Sequence, residues 1–420
     1  MTKDLFRIGV NTSVQIASRS VTAVSTLIVT LLVTRNLSQS DWGIFVTITS
    51  YVALFYLIAD FGLNGVVVRE LEERKKEIGY YFNNLISLRF ILSIIAIFVA
   101  LSVLSFTGHS STIKFGIIIF LISILTLALF NSAAVVFQSK LRYDQMAIAD
   151  ISGALVTLTL AYLFIISDFS IIFVVVSFIV GGIVRSFISL TLSSAYTEGF
   201  KLEFDIKLWK KLLIVALPIG LTLLFSQLVA NVDKQIIYLA NYNPGLNINN
   251  ELAVGFYGLA YRIFEFGIII PAFFVNSIYP LLLKDKNISN NLLRNNFFKY
   301  AKLLIGLGMV FTVVVFLLSP FVVKIFGDYA SSSGVLQILS IGYIFFFITP
   351  LLMWTIISLG KEKILPFVFG FAFLFNLAAN LFFVPRFGFS SAAVITVITE
   401  IIILVWLMIV LMPLLKSDIK

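Results

Sequence analysis

The segment Leu85–Phe106 reads LISLRFILSIIAIFVALSVLSF, an apolar run with one charge, Arg89. At ~1.5 Å of helical rise per residue it reaches about 33 Å, enough to cross the ~30 Å hydrocarbon core of a bilayer. A helix satisfies its own backbone hydrogen bonds, as lipid requires. The segment is therefore read as the centre of a transmembrane helix over 80–106. Working outward, similar runs predict spans at 10–34, 43–63, 114–137, 147–166, 171–193, 212–240, 253–279, 300–318, 335–357, 364–384 and 389–412, twelve in all. Turn chemistry separates them at Asn36 to Asp41, Asn243-Pro244-Gly245, Ser331 to Gly334 and Pro385 to Gly388. The composition agrees: 60% hydrophobic, 12% charged, mean hydropathy +1.05. A soluble domain carries about 25% charged residues. The fold class is an all-α polytopic membrane protein.

The loops orient it. Apart from cations inside the spans, only Arg35, Lys114, Lys324 and Arg386 fall in one set of alternate loops; every other Lys and Arg lies in the other set. Such a bias predicts both termini on the cytoplasmic side. It also accounts for most of the +9 net charge, so nucleic acid is not needed as a partner. Lys3 and Arg7 precede an apolar stretch that holds Arg19 and lacks a small-x-small cleavage site, so it reads as a retained first helix rather than a signal peptide. No cysteine is present, which excludes disulfides and thiolate chemistry. The one histidine, His109, reads as a solvated loop residue, and no metal or cofactor is expected.

The connection near 194–211 ends in Lys207, Trp209, Lys210 and Lys211, a basic amphipathic stretch suited to anionic headgroups. The join between two six-helix halves is placed there, giving lobes 1–200 and 201–420. Asp41-Trp-Gly43-Ile-Phe45 at span two and Ala253-Val-Gly255-Phe-Tyr257 at span eight echo each other across that division, as in duplicated transporters.

Five cations lie within spans: Arg19, Arg89, Arg185, Lys234 and Arg262. Each costs roughly 2.5–3.5 kcal/mol at mid-membrane unless it faces a partner or a cavity. The acids assigned to spans are Asp60, Asp233, Glu265 and Glu400. The cationic excess suits an anionic cargo. Asn11, Gln15, Arg19, Thr22, Thr26 and Thr30 recur every three or four residues on one face of span one, either as a helix contact or as a cavity lining. Span seven repeats the pattern with Gln227, Asn231, Lys234 and Tyr238, and with Pro218 as a possible kink. Arg262 and Glu265 share a face of span eight with Tyr257 and Tyr261 nearby. Arg19, Arg89 and Arg185 each lie about ten residues from their cytoplasmic ends, roughly 15 Å deep, and are expected to share one chamber. Their planar guanidinium groups suit phosphate. Glu400, Glu265, Asp233 and Asp60 are the candidate proton or ion carriers.

The segments Asn11-Thr-Ser, Val33-Thr-Arg35-Asn-Leu37, Asp41-Trp-Gly43-Ile-Phe45, Asp60-Phe-Gly62-Leu-Asn64-Gly65 with Val68-Arg69-Glu70, Val254-Gly-Phe-Tyr257-Gly-Leu-Ala260-Tyr-Arg262 and Ile278-Tyr-Pro280-Leu-Leu282 resemble the Wzx-type polysaccharide flippases of the MOP exporter superfamily. The resemblance covers nearly the whole chain. It implies twelve helices in two lobes around a central cavity, alternating access, and a bacterial inner-membrane location. The cargo it implies is oligosaccharide on undecaprenyl diphosphate, carried to the outer leaflet for a surface glycan such as an O-antigen (lipopolysaccharide) or capsule. Membrane lipids, a polysaccharide polymerase and a chain-length regulator are the implied partners. The alternative is a MATE-like cation or drug antiporter. An enzyme is disfavoured, since the outward loops are short and no Asp-x-Asp pair stands in a metal-binding context.

Overall fold

The computed structural model describes the backbone of residues 2–73, 77–197, 199–243, 246 and 249–416; of these, the side chains of 2–16, 72–73, 276, 280, 287, 290 and 416 are not described. The helices are α1 (Thr2–Asn36), α2 (Gln39–Ala53), α3 (Tyr56–Asp60), α4 (Leu63–Glu73), α5 (Ile78–Ser105), α6 (Ser111–Phe120), α7 (Ile122–Ser139) and α8 (Tyr143–Ile166). They continue as α9 (Ile171–Thr197), α10 (Ile206–Leu239), α11 (Asn250–Ile288), α12 (Asn290–Ile325), α13 (Ala330–Ile341), α14 (Tyr343–Ser358), α15 (Leu365–Phe387) and α16 (Ser390–Lys416). Eleven stretches among the described residues are long and apolar enough to cross a membrane, and α13 with α14, bent by 44°, supplies a twelfth. Each coincides with a run read from the sequence. The second runs further than expected, through α4 to Leu71.

Packing divides the chain into two compact units, Met1–Gln227 and Leu228–Lys420, with the division inside α10. The inner part of α10 belongs to the first unit because Leu208, Trp209, Leu212 and Ala216 are buried among residues of α4, α5 and α7, including Leu63, Val67, Phe82, Leu85 and Val136. Within the spans the usual pattern is inverted. On α5, Arg89, Ser93, Ala96 and Ala100 are buried, whereas Phe98 is 69% exposed and Phe90, Ile94 and Ile95 also face outward. Lipid is as apolar as those side chains, so no hydrophobic gain draws them inward, and small and polar residues take the helix contacts.

The echoed segments prove to be helix starts. Ser38 and Asp41 form a reciprocal capping box at α2, and the Asn249 side chain accepts from the Leu252 N–H at α11. These bonds satisfy amide groups that a helix start leaves open. The aromatic residues that follow become core: Trp42 and Tyr257 are fully buried, and Trp42 stacks on Phe45.

Between α9 and α10 the chain forms a strap laid along the first three turns of α5. The N–H groups of Lys201, Glu203 and Asp205 donate to Asn83 Oδ1 (3.1 Å), Ser87 Oγ (3.0 Å) and Asn84 Oδ1 (2.8 Å). Asn83 and Asn84 return bonds to the Glu203 carboxylate at 3.0 and 3.1 Å, and the Tyr80 hydroxyl donates to Asp205. Alternate residues then point the other way: Phe200, Leu202, Phe204 and Ile206 are exposed. This period-two side sits among the lysines that the sequence assigns to headgroups. The Tyr80 hydroxyl and the N–H groups of Leu208 and Lys207 hold the Asp205 carboxyl below its ordinary range. A depressed carboxyl stabilises the strap above its unfolded pKa, and that contribution is lost as pH falls through the folded value. Amide exchange across 199–206 is therefore expected to accelerate on acidification in the wild type. Asp205→Asn should already exchange fast at neutral pH and lack the acid step, and an unchanged profile would remove Asp205 from the strap's support.

Candidate functional site

Two places in the first unit and one in the second gather the intramembrane charges. The first is the break in the second span. Phe61 (φ 46°) and Gly62 (φ 68°) adopt left-handed conformations that end α3 and restart the chain as α4. A side chain at Gly62 would be strained by its φ alone. The break turns Asp60 and Asn64 towards the same guanidinium: Arg89 Nη2 lies 2.7 Å from Asp60 Oδ1 and 2.6 Å from Asn64 Oδ1, and Nη1 donates to Ser132 Oγ at 3.3 Å. Asn131 donates to the same Asp60 oxygen at 3.0 Å. Arg89 is 1% exposed. This corrects the expected chamber of three arginines: Arg89 is enclosed by partners from α3, α4 and α7 and has no open face for a cargo. Asp60, read from the sequence as a candidate ion carrier, is the counter-ion of Arg89.

The second place is a cavity of ≈ 200 Å³ between α1, α8 and α9. Thr22, Ser25 and Thr26 line it from α1, Asp150 and Thr157 from α8, and Phe178 and Arg185 from α9. Thr22 and Thr26 thus line a cavity, as span one's polar face suggested. Their hydroxyls donate to Ser18 O and Thr22 O at 3.1 and 3.0 Å, so the oxygen lone pairs remain for a ligand that donates. The side chain of Gln15, expected beside them, lies outside the described residues.

Close helix contact sets the charges of this cavity. A Cβ on Gly153 would stand 2.7 Å from Arg185 Cβ, and one on Gly181 would stand 1.9 Å from Thr157 Oγ1. Only glycine lets α8 and α9 approach this closely, and the approach brings Arg185 Nη2 within 2.7 Å of Asp150 Oδ1. The Arg185 guanidinium also lies over the Phe130 ring, 3.4 Å from its centroid, and its Nε is buried with no hydrogen-bond partner. Ser18 donates to Asp150 Oδ2 at 3.4 Å. Asp150 also lines a smaller adjoining pocket with Ser18 and Arg19, whose charge acts on it. Arg19 and Arg185 are therefore gathered around one acid. Asp150 was not among the acids assigned to spans from the sequence, although it lies inside the run 147–166; a search for acids within the predicted boundaries finds it.

In the second unit, Lys234 is 6% exposed, so it does not reach up to the interface. Its ammonium donates to Ala230 O at 2.6 Å and approaches Asn231 Oδ1 at 3.4 Å, and it sits 3.8 Å from the Tyr261 ring centroid. Asp233 points elsewhere, accepting from the Lys234 backbone N–H at 2.7 Å and from the Tyr257 hydroxyl. That hydroxyl lies 3.3 Å from Thr396 Oγ1. Arg262 and Glu265 form the expected i,i+3 pair at 3.5 Å, part-exposed on both sides. Glu400 is 6% exposed, beside the Thr349 hydroxyl. Gln227, grouped with these from span seven, is half-buried at the end of the first unit. Lys234 thus donates to neutral oxygens rather than to a carboxylate, and Arg262 is paired with an acid.

Residues 8–286 match the model of the family described as polysaccharide biosynthesis protein. The chain belongs to that family. Among solved structures, it resembles the inward-facing conformation of a multidrug resistance MATE family transporter of the MOP superfamily, at TM-score 0.75 and 14% identity over 95% of this chain and 96% of that one. It also resembles the lipid II flippase MurJ in its inward closed conformation, at TM-score 0.73 and 16% identity over 96% and 87%. A third likeness is to a MOP superfamily transporter from Pyrococcus furiosus whose structure is described as having a binding pocket of reverse polarity, at TM-score 0.68 and 15% identity over 98% and 96%. No curated protein matches. At these identities the structural likenesses establish the fold alone, one this chain shares with these transporters and the flippase. The family description points to polysaccharide biosynthesis, and the fold is one found in a MATE transporter and a lipid II flippase.

Proposed function

We propose that this protein is a flippase of the Wzx type. In this reading it carries oligosaccharide units on undecaprenyl diphosphate across the bacterial inner membrane, with both termini in the cytoplasm, and supplies a surface polysaccharide such as an O-antigen or capsule. The observation that carries the reading is the Arg185–Asp150–Arg19 group beside a hydroxyl-lined cavity at membrane depth. Moving a diphosphate through hydrocarbon requires its charge to be met by donors, and a guanidinium fork meets phosphate oxygens two at a time. The threonine oxygens offer acceptors to sugar hydroxyls. Family membership supports a role in polysaccharide biosynthesis, and the fold supports alternating access. A polymerase and a chain-length regulator are the partners this role implies. Lys234 and Arg262 then tune the field of the second half, with Gln227, Asn231 and Tyr261 as polar lining, and Asp233, Glu265 and Glu400 serve any coupling to an ion gradient.

The test uses the purified full chain in liposomes with a fluorescent undecaprenyl-diphosphate oligosaccharide. Arg185→Gln is expected to lower the flipping rate at least tenfold while the protein remains inserted, and Glu400→Gln to remove any dependence on a pH gradient. The second reading, a MATE-like antiporter of cationic drugs, is favoured by the buried acids Asp150 and Glu400. It predicts that the same liposomes take up a cationic dye and ignore the lipid-linked sugar, which would replace the flippase reading.

A further inference from the structure

The geometry points to Asp150 as a two-position carboxylate that guards Arg185 and releases it to an arriving phosphate ester by swinging to Arg19; this inference rests on the anionic-cargo reading. The two intramembrane arginine–acid pairs of the first unit differ in a way that assigns them different work. Arg89 has three side-chain partners and almost no exposure. Arg185 has one carboxylate and a ring face, and its side chain is 30% exposed beside an open cavity. The first pair is closed. The second can exchange its anion.

Asp150 has somewhere to go. One oxygen holds Arg185 at 2.7 Å, and the other receives the Ser18 hydroxyl at 3.4 Å. Ser18 is the sequence neighbour of Arg19, and Asp150 lines both the larger cavity with Arg185 and the smaller pocket with Arg19. A rotation of the carboxylate away from Arg185 therefore keeps a hydroxyl and gains a second guanidinium, and Asp150 never stands alone in a low-dielectric surrounding. Arg185, once released, presents its fork to phosphate oxygens. The loaded site replaces the internal anion at Arg185 with the cargo's own. A carboxylate in this role keeps singly charged phosphodiester headgroups from filling the site, because a monoanion must compete with a tethered one at high effective concentration.

The experiment measures inorganic pyrophosphate binding by calorimetry to the purified full chain in detergent, at fixed ionic strength. Asp150→Asn removes the competitor and should raise affinity at least tenfold; Arg185→Gln should abolish binding in either background. Arg19→Gln removes the alternative seat while leaving the Asp150–Arg185 pair intact. It should weaken binding about threefold when Asp150 is present and have no effect in Asp150→Asn, a coupling that a general loss of positive charge does not produce. Asp150→Ser supplies the second background should Asp150→Asn fail to fold. Unchanged affinity in Asp150→Asn, or an equal Arg19→Gln effect in both backgrounds, overturns the exchange while leaving Arg185 as a cargo residue. Absence of any Arg185-dependent binding overturns the anionic-cargo reading itself. Phosphatidylglycerol in mixed micelles separates the sources: it should gain less than pyrophosphate from Asp150→Asn, and an equal gain would assign the site to membrane lipid instead.

Discussion

Asp60→Ala is expected to destabilise the first unit by roughly 3–5 kcal/mol, because it leaves a buried guanidinium without its counter-charge. Arg89 is 1% exposed and its Nε already lacks a hydrogen-bond partner, so losing the carboxylate adds to a guanidinium that is already incompletely satisfied. The loss falls where the second span is broken, and Asn64 and Asn131 would lose the group that organises them. Reversible unfolding in mixed micelles measures the effect. A double variant, Asp60→Leu with Arg89→Met, should recover most of it, since replacing a buried pair by apolar residues of similar volume is often neutral or favourable. The exposed pair Arg142–Asp144, equally short at 2.7 Å, supplies the contrast. Asp144→Ala is expected to leave stability unchanged, because solvent screens both partners. Equal losses at the two sites would mean that burial is not what makes the Asp60 pair matter.

The membrane spans were legible in the sequence because length and apolarity are local properties, and each predicted run coincides with a helix or a bent pair. Which side of each helix carries polar groups was legible too: Thr22 and Thr26 line a cavity, and Arg262 meets Glu265 across one turn. The partners of the arginines were not. Arg89 finds Asp60 from another helix, 29 residues away, and Arg185 finds Asp150 across the α8–α9 contact. A search at helical spacing sees only the helix it is made on. Equal depth therefore suggested one chamber for Arg19, Arg89 and Arg185, and two of the three are gathered at one acid. The strap was half legible: its lysines suggested headgroup contact, while Tyr80, Asn83, Asn84 and Ser87 at helical spacing formed a polar stripe whose partners lie in the alternating Glu203 and Asp205.

Under the proposed flippase function, Gly181→Ala is expected to abolish flipping, although it adds one carbon and no charge. The new Cβ would stand 1.9 Å from Thr157 Oγ1 and 2.6 Å from the Gly153 carbonyl oxygen. Real Cβ contacts do not come this close, so α8 and α9 must separate, and overpacking of this kind typically costs about 1–3 kcal/mol. The functional loss should exceed that figure, because the helix contact sets the 2.7 Å approach of Arg185 to Asp150 and the walls of the cavity. Thr157→Ala added to Gly181→Ala removes the worse clash and leaves the carbonyl, so flipping should return only in part. Gly306→Ala in α12, where a Cβ meets nothing within 4 Å, provides the control for alanine itself and should be silent or slightly stabilising. If Gly181→Ala flips at the wild-type rate, the close α8–α9 contact is not what holds the charged site in its working geometry.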